Sequence, residues 1–263
     1  MNREMRYATF KEKLDKSRSS IKSCKICNGE GYLPTGKTKG TSTLFEFEDC
    51  ECKKSFKEKK NYILANVPKR RMSLLRQQKQ PIKVLNTLTN KKVSLYQTIV
   101  KRYVKGFKKA KANGLGLMFF GTTGSSKTTA ALIILMKLLN KNRDGYYIYF
   151  KDLIGLLIQS YDDKSKAPLF KEIINVDLLV IDELSLVSRI TPHMIAEFTS
   201  VCKQRFEEEK PTILISNYQT ADEIFHNFGT PMESLLNEAF VVFKFGGRDL
   251  REDKYEDLKK FFE

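Results

Sequence analysis

From Gly114 onward, short apolar runs alternate with longer stretches in which apolar residues recur every three or four positions. The runs at 115–120, 146–150, 178–181, 212–216 and 241–245 predict five strands, and the stretches between them predict helices. Such alternation argues for an α/β fold with a parallel five-stranded sheet and helices on both faces. The pattern changes before Gly114. Leu74, Leu75, Val84, Leu85 and Leu88, then Leu95, Ile99, Val100, Tyr103, Val104 and Phe107, follow helical spacing, interrupted at Pro68 and Pro81 and closed by Asn113-Gly114. Tyr96, Tyr103 and Phe107 could stack on bases, but aromatic residues at helical spacing read first as core. The start of the chain is polar, with one alternating stretch, Thr43-Leu-Phe-Glu-Phe-Glu48, that reads as a strand. Three regions result: residues 1–60, a basic helical linker at 61–111, and an α/β domain at 112–263.

Composition changes this picture mainly through charge. The 263 residues are 41% hydrophobic, enough for a real core, and carry a formal charge of +16. Residues 53–111 hold nineteen Lys and Arg against the single acid Glu58, a net +18, so the rest of the chain nets −2. A segment so one-sided repels itself unless it is solvated or set against a polyanion, which points to nucleic acid or an acidic protein face, with a solvated surface as the plain alternative. The charged start, Met1 to Ser20, does not read as a signal peptide, and no apolar run approaches the ~20 residues of a membrane span. No membrane is expected, and the expected location is cytoplasmic.

Four of the five cysteines fall in the first region. Cys24-Lys-Ile-Cys27 has knuckle spacing that aims two thiolates at one ion; Cys50-Glu-Cys52 is tighter than usual. Two pairs facing across a hairpin suit one tetrahedral Zn²⁺, a structural site because four thiolates leave no open position. Two disulfides, or four free thiols, remain the alternatives. Cys202, in a helical pattern far away, reads as core.

Between the first strand and the next helix lies Gly121-Thr-Thr-Gly-Ser-Ser-Lys-Thr-Thr129. A phosphate-binding loop of the G-x-x-x-x-G-K-[ST] type curls main-chain N–H groups around phosphate, with lysine on the γ-phosphate and a hydroxyl on Mg²⁺. Gly121, Thr122, Thr123, Gly124, Ser125, Ser126, Lys127, Thr128 and Thr129 would form the ATP cradle. Ser126 stands where the pattern has its last glycine, a position that can need glycine-type dihedrals, so binding with impaired turnover is expected. Asp177-Leu-Leu-Val-Ile-Asp182-Glu183 ends an apolar strand in two carboxylates, a Walker B arrangement. Asp182 is expected at Mg²⁺ together with Thr128, and Glu183 at the attacking water. Asn217, just past the fourth strand, is expected near the γ-phosphate, the alternative being a turn residue.

These residues together resemble the helicase-loader branch of the AAA+ ATPases, the DnaC/DnaI and IstB group. The resemblance rests on Cys24-x-x-Cys27-x-x-x-Gly31-Tyr32, Cys50-x-Cys52, Ala65-Asn-Val-Pro68, the loop Gly121 to Thr128, Asp177 to Leu184, Gln204 to Asn217, and Phe245-Gly-Gly-Arg-Asp-Leu-Arg251. It implies a P-loop AAA+ core behind a small zinc-binding module that grips a hexameric replicative helicase. It also implies single-stranded DNA as a partner, self-assembly on the helicase, and ATP hydrolysis that times delivery during replication initiation. Asn217 then looks like sensor 1 and Arg251 like a sensor 2 arginine, while Lys127, Glu183 and Asn217 carry catalysis. The helix that presents an arginine to the neighbouring subunit in such loaders reads Met232-Glu-Ser-Leu-Leu-Asn-Glu238, without one. Either intrinsic hydrolysis is weak, or Arg205 or Arg189 serves instead, Arg205 being the candidate because it ends the helix before the fourth strand. A transposition regulator that assembles on duplex DNA and a non-hydrolysing ATP-binding adaptor are the rival readings.

Overall fold

A computed structural model describes residues 24–27, 32–38, 45–52, 61, 65–68, 92–163, 165–184 and 191–246. The chain divides into two units, Met1–Asn66 and Val67–Glu263. In the first, β1 (Tyr32–Thr38) and β2 (Phe45–Asp49) form an antiparallel pair. Tyr32 faces Asp49 and Thr38 faces Phe45, with a register shift between Pro34 and Thr38. Cys24 and Cys27 lie before the first strand and Cys50 and Cys52 after the second, so this register draws all four to the open end of the hairpin.

Among the described residues, the elements of the second unit are α1 (Lys92–Ala112), β3 (Gly116–Gly121), α2 (Lys127–Asn140), β4 (Gly145–Tyr149), α3 (Phe150–Asp162), α4 (Ala167–Ile174), β5 (Leu178–Asp182), α5 (Pro192–Glu207), β6 (Thr212–Ile215), α6 (Ala221–Ala239) and β7 (Phe240–Phe245). The strands form one parallel sheet ordered β4-β5-β6-β3-β7, each within a residue of its expected bounds. The three inner strands β5, β6 and β3 are buried at every position, as parallel strands covered on both faces must be. At the edge, β7 exposes Val241 and Val242. Helix α2 is apolar nearly all round because it touches β4, β5 and β6 on one side and α1 on the other.

Helix α1 shows what part of the basic stretch does. Ile99, Val100, Tyr103, Val104, Phe107 and Ala110 are buried, whereas Lys101, Arg102, Lys105, Lys108 and Lys109 are exposed. The Tyr103 hydroxyl donates to the Leu115 carbonyl at 2.8 Å and its ring meets Phe107 edge-on, so both rings are core. Leu74, Leu75, Val84, Leu85, Leu88 and the side chain of Tyr96 lie outside the described residues. Helix α6 is two helices joined at Gly229 (φ 76°, ψ 172°), two residues before Pro231, so Met232 to Glu238 belong to its second half. Among the described residues no helix is long and apolar enough to cross a membrane.

Candidate functional site

The loop after β3 begins where only glycine fits. Gly121 has φ 121°, and a Cβ there would sit 1.9 Å from the Phe245 carbonyl oxygen. The same carbonyl accepts from Thr122 N at 3.2 Å, tying the loop to the end of β7. Ser126 has φ 70° and ψ 17°, the left-handed conformation that the glycine of the usual pattern adopts freely. For a residue with a Cβ this costs roughly 1–2 kcal/mol. The Ser126 carbonyl accepts from Ala130 N at 2.9 Å and so starts α2, but its side chain makes no capping bond. The serine side chain thus caps none of the first N–H groups of α2, which lie at the positive end of the helix.

Lys127 is 4% exposed. Its ammonium donates to the carbonyls of Gly121 (2.8 Å) and Thr122 (2.7 Å) and lies 3.4 Å from Ser125 Oγ. The Ser125 hydroxyl itself donates to the Thr122 carbonyl at 2.6 Å. Thr122 Oγ1 is buried with no hydrogen-bond partner. Thr123 is exposed, and Gly124, Thr128 and Thr129 are half-buried.

Asp182, the last residue of β5, is buried and accepts three hydrogen bonds. Thr128 Oγ1 donates to Oδ2 at 2.9 Å, the Tyr147 hydroxyl donates to the same oxygen at 2.8 Å, and Glu183 N donates to Oδ1 at 2.7 Å. Glu183 has φ 62°, an uncommon conformation for a non-glycine residue and one that marks functional sites. Burial pushes its carboxyl above the usual range, as do the Asp182 and Asp152 charges, against the opposing effect of Lys151. Beside it, Leu184 N donates to the Ile215 carbonyl and Ser216 N to that of Phe119, lacing together the ends of β5, β6 and β3. Asn217 follows, half-buried, with its carbonyl accepting from Gln219 Nε2 at 3.0 Å. The loop, the carboxylate pair and Asn217 therefore share the carboxyl edge of three adjacent strands, where open α/β sheets bind ligands. A hydroxyl beside a carboxylate is a donor set for a hard divalent cation, and it fits magnesium.

The four cysteines of the first unit come together as the spacing predicts. Their sulfurs all lie within 4.8 Å of one another, with Cys24 4.0 Å from Cys50 and Cys27 3.5 Å from Cys52. None is in a disulfide. Desolvation and the neighbouring thiols push Cys52 up to about 12. Four sulfurs converging from a C-x-x-C knuckle and a hairpin end are a soft, tetrahedral donor set, which fits Zn²⁺.

No protein-family model matches this sequence, and no curated protein does. Solved structures do. A crystal structure of the DnaC helicase loader superposes with a TM-score of 0.54 at 24% identity, covering 62% of this chain and 96% of that one. The core has the AAA+ fold of that loader. DnaI aligns at 19% identity over 62% of this chain and 86% of its own, with a TM-score of 0.49. AMPPCP-bound DnaA from Aquifex aeolicus aligns at 17% over 67% and 55%, with a TM-score of 0.47.

One expectation for this AAA+ core fails. Arg205 is 1% exposed and lies at the amino edge of the sheet, opposite the loop. Its guanidinium donates to Thr212 Oγ1 (2.9 Å) and to the carbonyls of Ile174 (2.5 Å), Val176 (3.1 Å) and Pro211 (2.7 Å). Burial lowers its pKa to about 10, which leaves it charged at neutral pH. A side chain bonded to four acceptors inside its own subunit cannot reach a neighbour's nucleotide, so Arg205 is no arginine finger. Arg189 and Arg251 lie outside the described residues. Cys202 is buried beside Arg205 as expected of core, and burial pushes its thiol up to about 12. Tyr147 is the contact that pattern reading missed. The strand Gly-Tyr-Tyr-Ile-Tyr reads as apolar core, and only the pairing of β4 with β5 turns one of its hydroxyls onto Asp182.

Proposed function

We propose that this protein is an ATP-dependent helicase loader, which binds a hexameric replicative helicase and delivers it onto single-stranded DNA. The observation that carries the nucleotide part is the 2.9 Å bond between Thr128 and Asp182, with Lys127, next in the chain, bonded to the loop carbonyls. That bond joins the end of the phosphate loop to the end of the Walker B strand. In this reading the loop from Gly121 to Thr129 wraps the phosphates, and Lys127 exchanges its carbonyl partners for γ-phosphate oxygens. Thr128 and Asp182 would hold magnesium, which would offset the charge that develops on the phosphates. Glu183, its carboxyl raised above the usual range by burial, orients and deprotonates the attacking water. Asn217 senses the γ-phosphate, and Arg251 takes the sensor 2 role that the family resemblance gives it. With Ser126 in a strained conformation and no arginine finger found among the described residues, hydrolysis is slow, in keeping with a switch.

The loader part is supported by the cysteine unit ahead of the core and by the likeness of the core to the DnaC helicase loader. Cys24, Cys27, Cys50 and Cys52 would hold one structural Zn²⁺ in the module that grips helicase. The basic face of α1 would serve DNA or helicase. Three measurements test the reading. Lys127→Ala should abolish ATP binding by calorimetry, and unchanged affinity would remove the nucleotide assignment. Metal analysis of the purified chain should find one zinc per chain. Gel filtration with a purified replicative helicase, together with binding to single- and double-stranded oligonucleotides, separates the rivals. Co-elution with a preference for single strands supports loading, whereas filaments on duplex DNA would make the protein a transposition regulator.

A further inference from the structure

Asp182 ends β5 in the position proposed for magnesium, but one of the three hydrogen bonds that fix its carboxylate comes from a strand without any motif. In the parallel pairing of β4 with β5, Tyr147 lies opposite Val180, and Tyr149 opposite Asp182. The residue two positions beyond a direct partner lies on the same face of the sheet, within reach of an aromatic side chain. Tyr147 uses that diagonal. Its ring is 2% exposed and braced edge-on by Tyr149 at 5.5 Å, and its hydroxyl reaches Asp182 Oδ2 at 2.8 Å. Phenylalanine would fill the same core volume without a polar atom that needs a partner. The hydroxyl at this position therefore has an energetic consequence only through what it bonds.

Acceptor accounting says what that consequence is. An ionised carboxylate offers about four lone-pair sites, two on each oxygen. On Asp182, Thr128 and Tyr147 occupy both sites of Oδ2, and Glu183 N takes one on Oδ1. One acceptor position remains, on Oδ1. With both sites of Oδ2 filled from two different elements, α2 and β4, the carboxylate cannot rotate about its Cβ–Cγ bond without breaking bonds on both sides. Removing the Tyr147 hydroxyl frees a site on Oδ2 and leaves Thr128 as the only side chain holding that oxygen, the same Thr128 that would turn toward a bound cation.

We infer that Tyr147 is a positioning residue for the magnesium carboxylate, setting through Asp182 how strongly Mg²⁺ supports nucleotide binding. This rests on the reading of the site as an ATP site, and the test separates the two. A fluorescent ATP analogue is titrated into the full-length protein in EDTA and then at a series of Mg²⁺ concentrations, for the wild type and for Tyr147→Phe. The expected result is an EDTA affinity within about twofold of wild type, with a Mg²⁺ requirement for half-maximal tightening raised about tenfold, the scale of a lost hydrogen bond to a charged group. An unchanged Mg²⁺ requirement overturns the inference, as does an equal loss of affinity with and without Mg²⁺, which would make Tyr147 purely structural. A wild-type protein that binds no nucleotide overturns the ATP reading itself. Tyr147→Met removes the hydroxyl with a more adaptable side chain and gives the same readout should the phenylalanine variant not fold. In an Asp182→Asn background, Tyr147→Phe should have no further effect on the Mg²⁺ requirement; an independent effect there sinks the idea that Tyr147 acts through Asp182.

Discussion

Lys127 at the carboxyl edge of the sheet and Arg205 at the amino edge are both nearly inaccessible, at 4% and 1% exposure, and both donate to main-chain carbonyls. The difference lies in which carbonyls. Arg205 binds acceptors from the end of α4, the approach to β5 and the start of β6, segments held by the sheet itself. Lys127 binds the carbonyls of Gly121 and Thr122, in a loop with two residues of positive φ besides Gly121. A planar guanidinium with several fixed donors suits a permanent join, and a flexible ammonium suits partners that can be exchanged. One sheet thus keeps one buried cation as a rivet and another on loop carbonyls that the proposed reading exchanges for an anion, and burial alone does not tell the two apart.

The sharpest way to break this comparison is to remove the rivet. Arg205→Ala strands the carbonyls of Ile174 and Val176 in the core, takes one of two donors from that of Pro211 and opens a cavity, so a loss of roughly 3–5 kcal/mol is expected. In a domain of this size that lowers Tm by about 10 °C or more. Turnover per folded molecule should stay near that of the parent. A variant with unaltered Tm and lost ATPase would restore Arg205 to the catalytic machinery and end the contrast between the two edges.

A smaller change sharpens the other side. Ser126→Gly relieves a left-handed residue with a Cβ, worth about 1–2 kcal/mol, and adds the unfolded-state freedom of glycine, which takes back about 0.5–1. The expected net is a gain of about 0.5–1 kcal/mol, with faster ATP turnover if serine holds the loop away from the phosphates. Denaturant melts and steady-state ATPase assays read the two effects separately. A stability loss would mean that the serine side chain contributes something that its backbone strain conceals.

Which of these features could be read from the chain follows a physical division. The strands were legible because β3, β5 and β6 are buried on both faces, so they appear as unbroken apolar runs. The loop and the Asp182-Glu183 pair stood out because the proposed phosphate chemistry asks for residue types at fixed local spacing, and Ser126 stood out against that spacing. Arg205 did not. Its four acceptors come from three stretches of chain, so at the end of an amphipathic helix it looks like any surface cation. Tyr147 was hidden for the same reason, since its partner is fixed by strand register and not by neighbours in sequence. The break in α6 did have a local signal, Gly229-Thr-Pro231, which marks a helix interruption whatever surrounds it.

The weakest expected effect also belongs to the amino edge, and it tests whether that edge is held by charge as well as by hydrogen bonds. Asp177, just ahead of β5, accepts from Lys111 Nζ of α1 and from Asp144 N just before β4. Burial would raise its pKa, but these donors and the nearby Arg143 outweigh burial and hold it below the usual carboxylate range. A carboxyl with a folded pKa below its unfolded one adds stability that is complete above the unfolded value, about 3.9, and that disappears as pH falls through the folded value. Both partners are partly exposed, at 35% and 22%, so the pair is worth no more than about 1 kcal/mol. Melts of the parent and of Asp177→Asn should therefore differ by a few degrees at pH 7 and converge below pH 4. A gap that persists unchanged into acid would assign the contribution of Asp177 to its hydrogen bonds alone and show that its charge adds nothing to this edge.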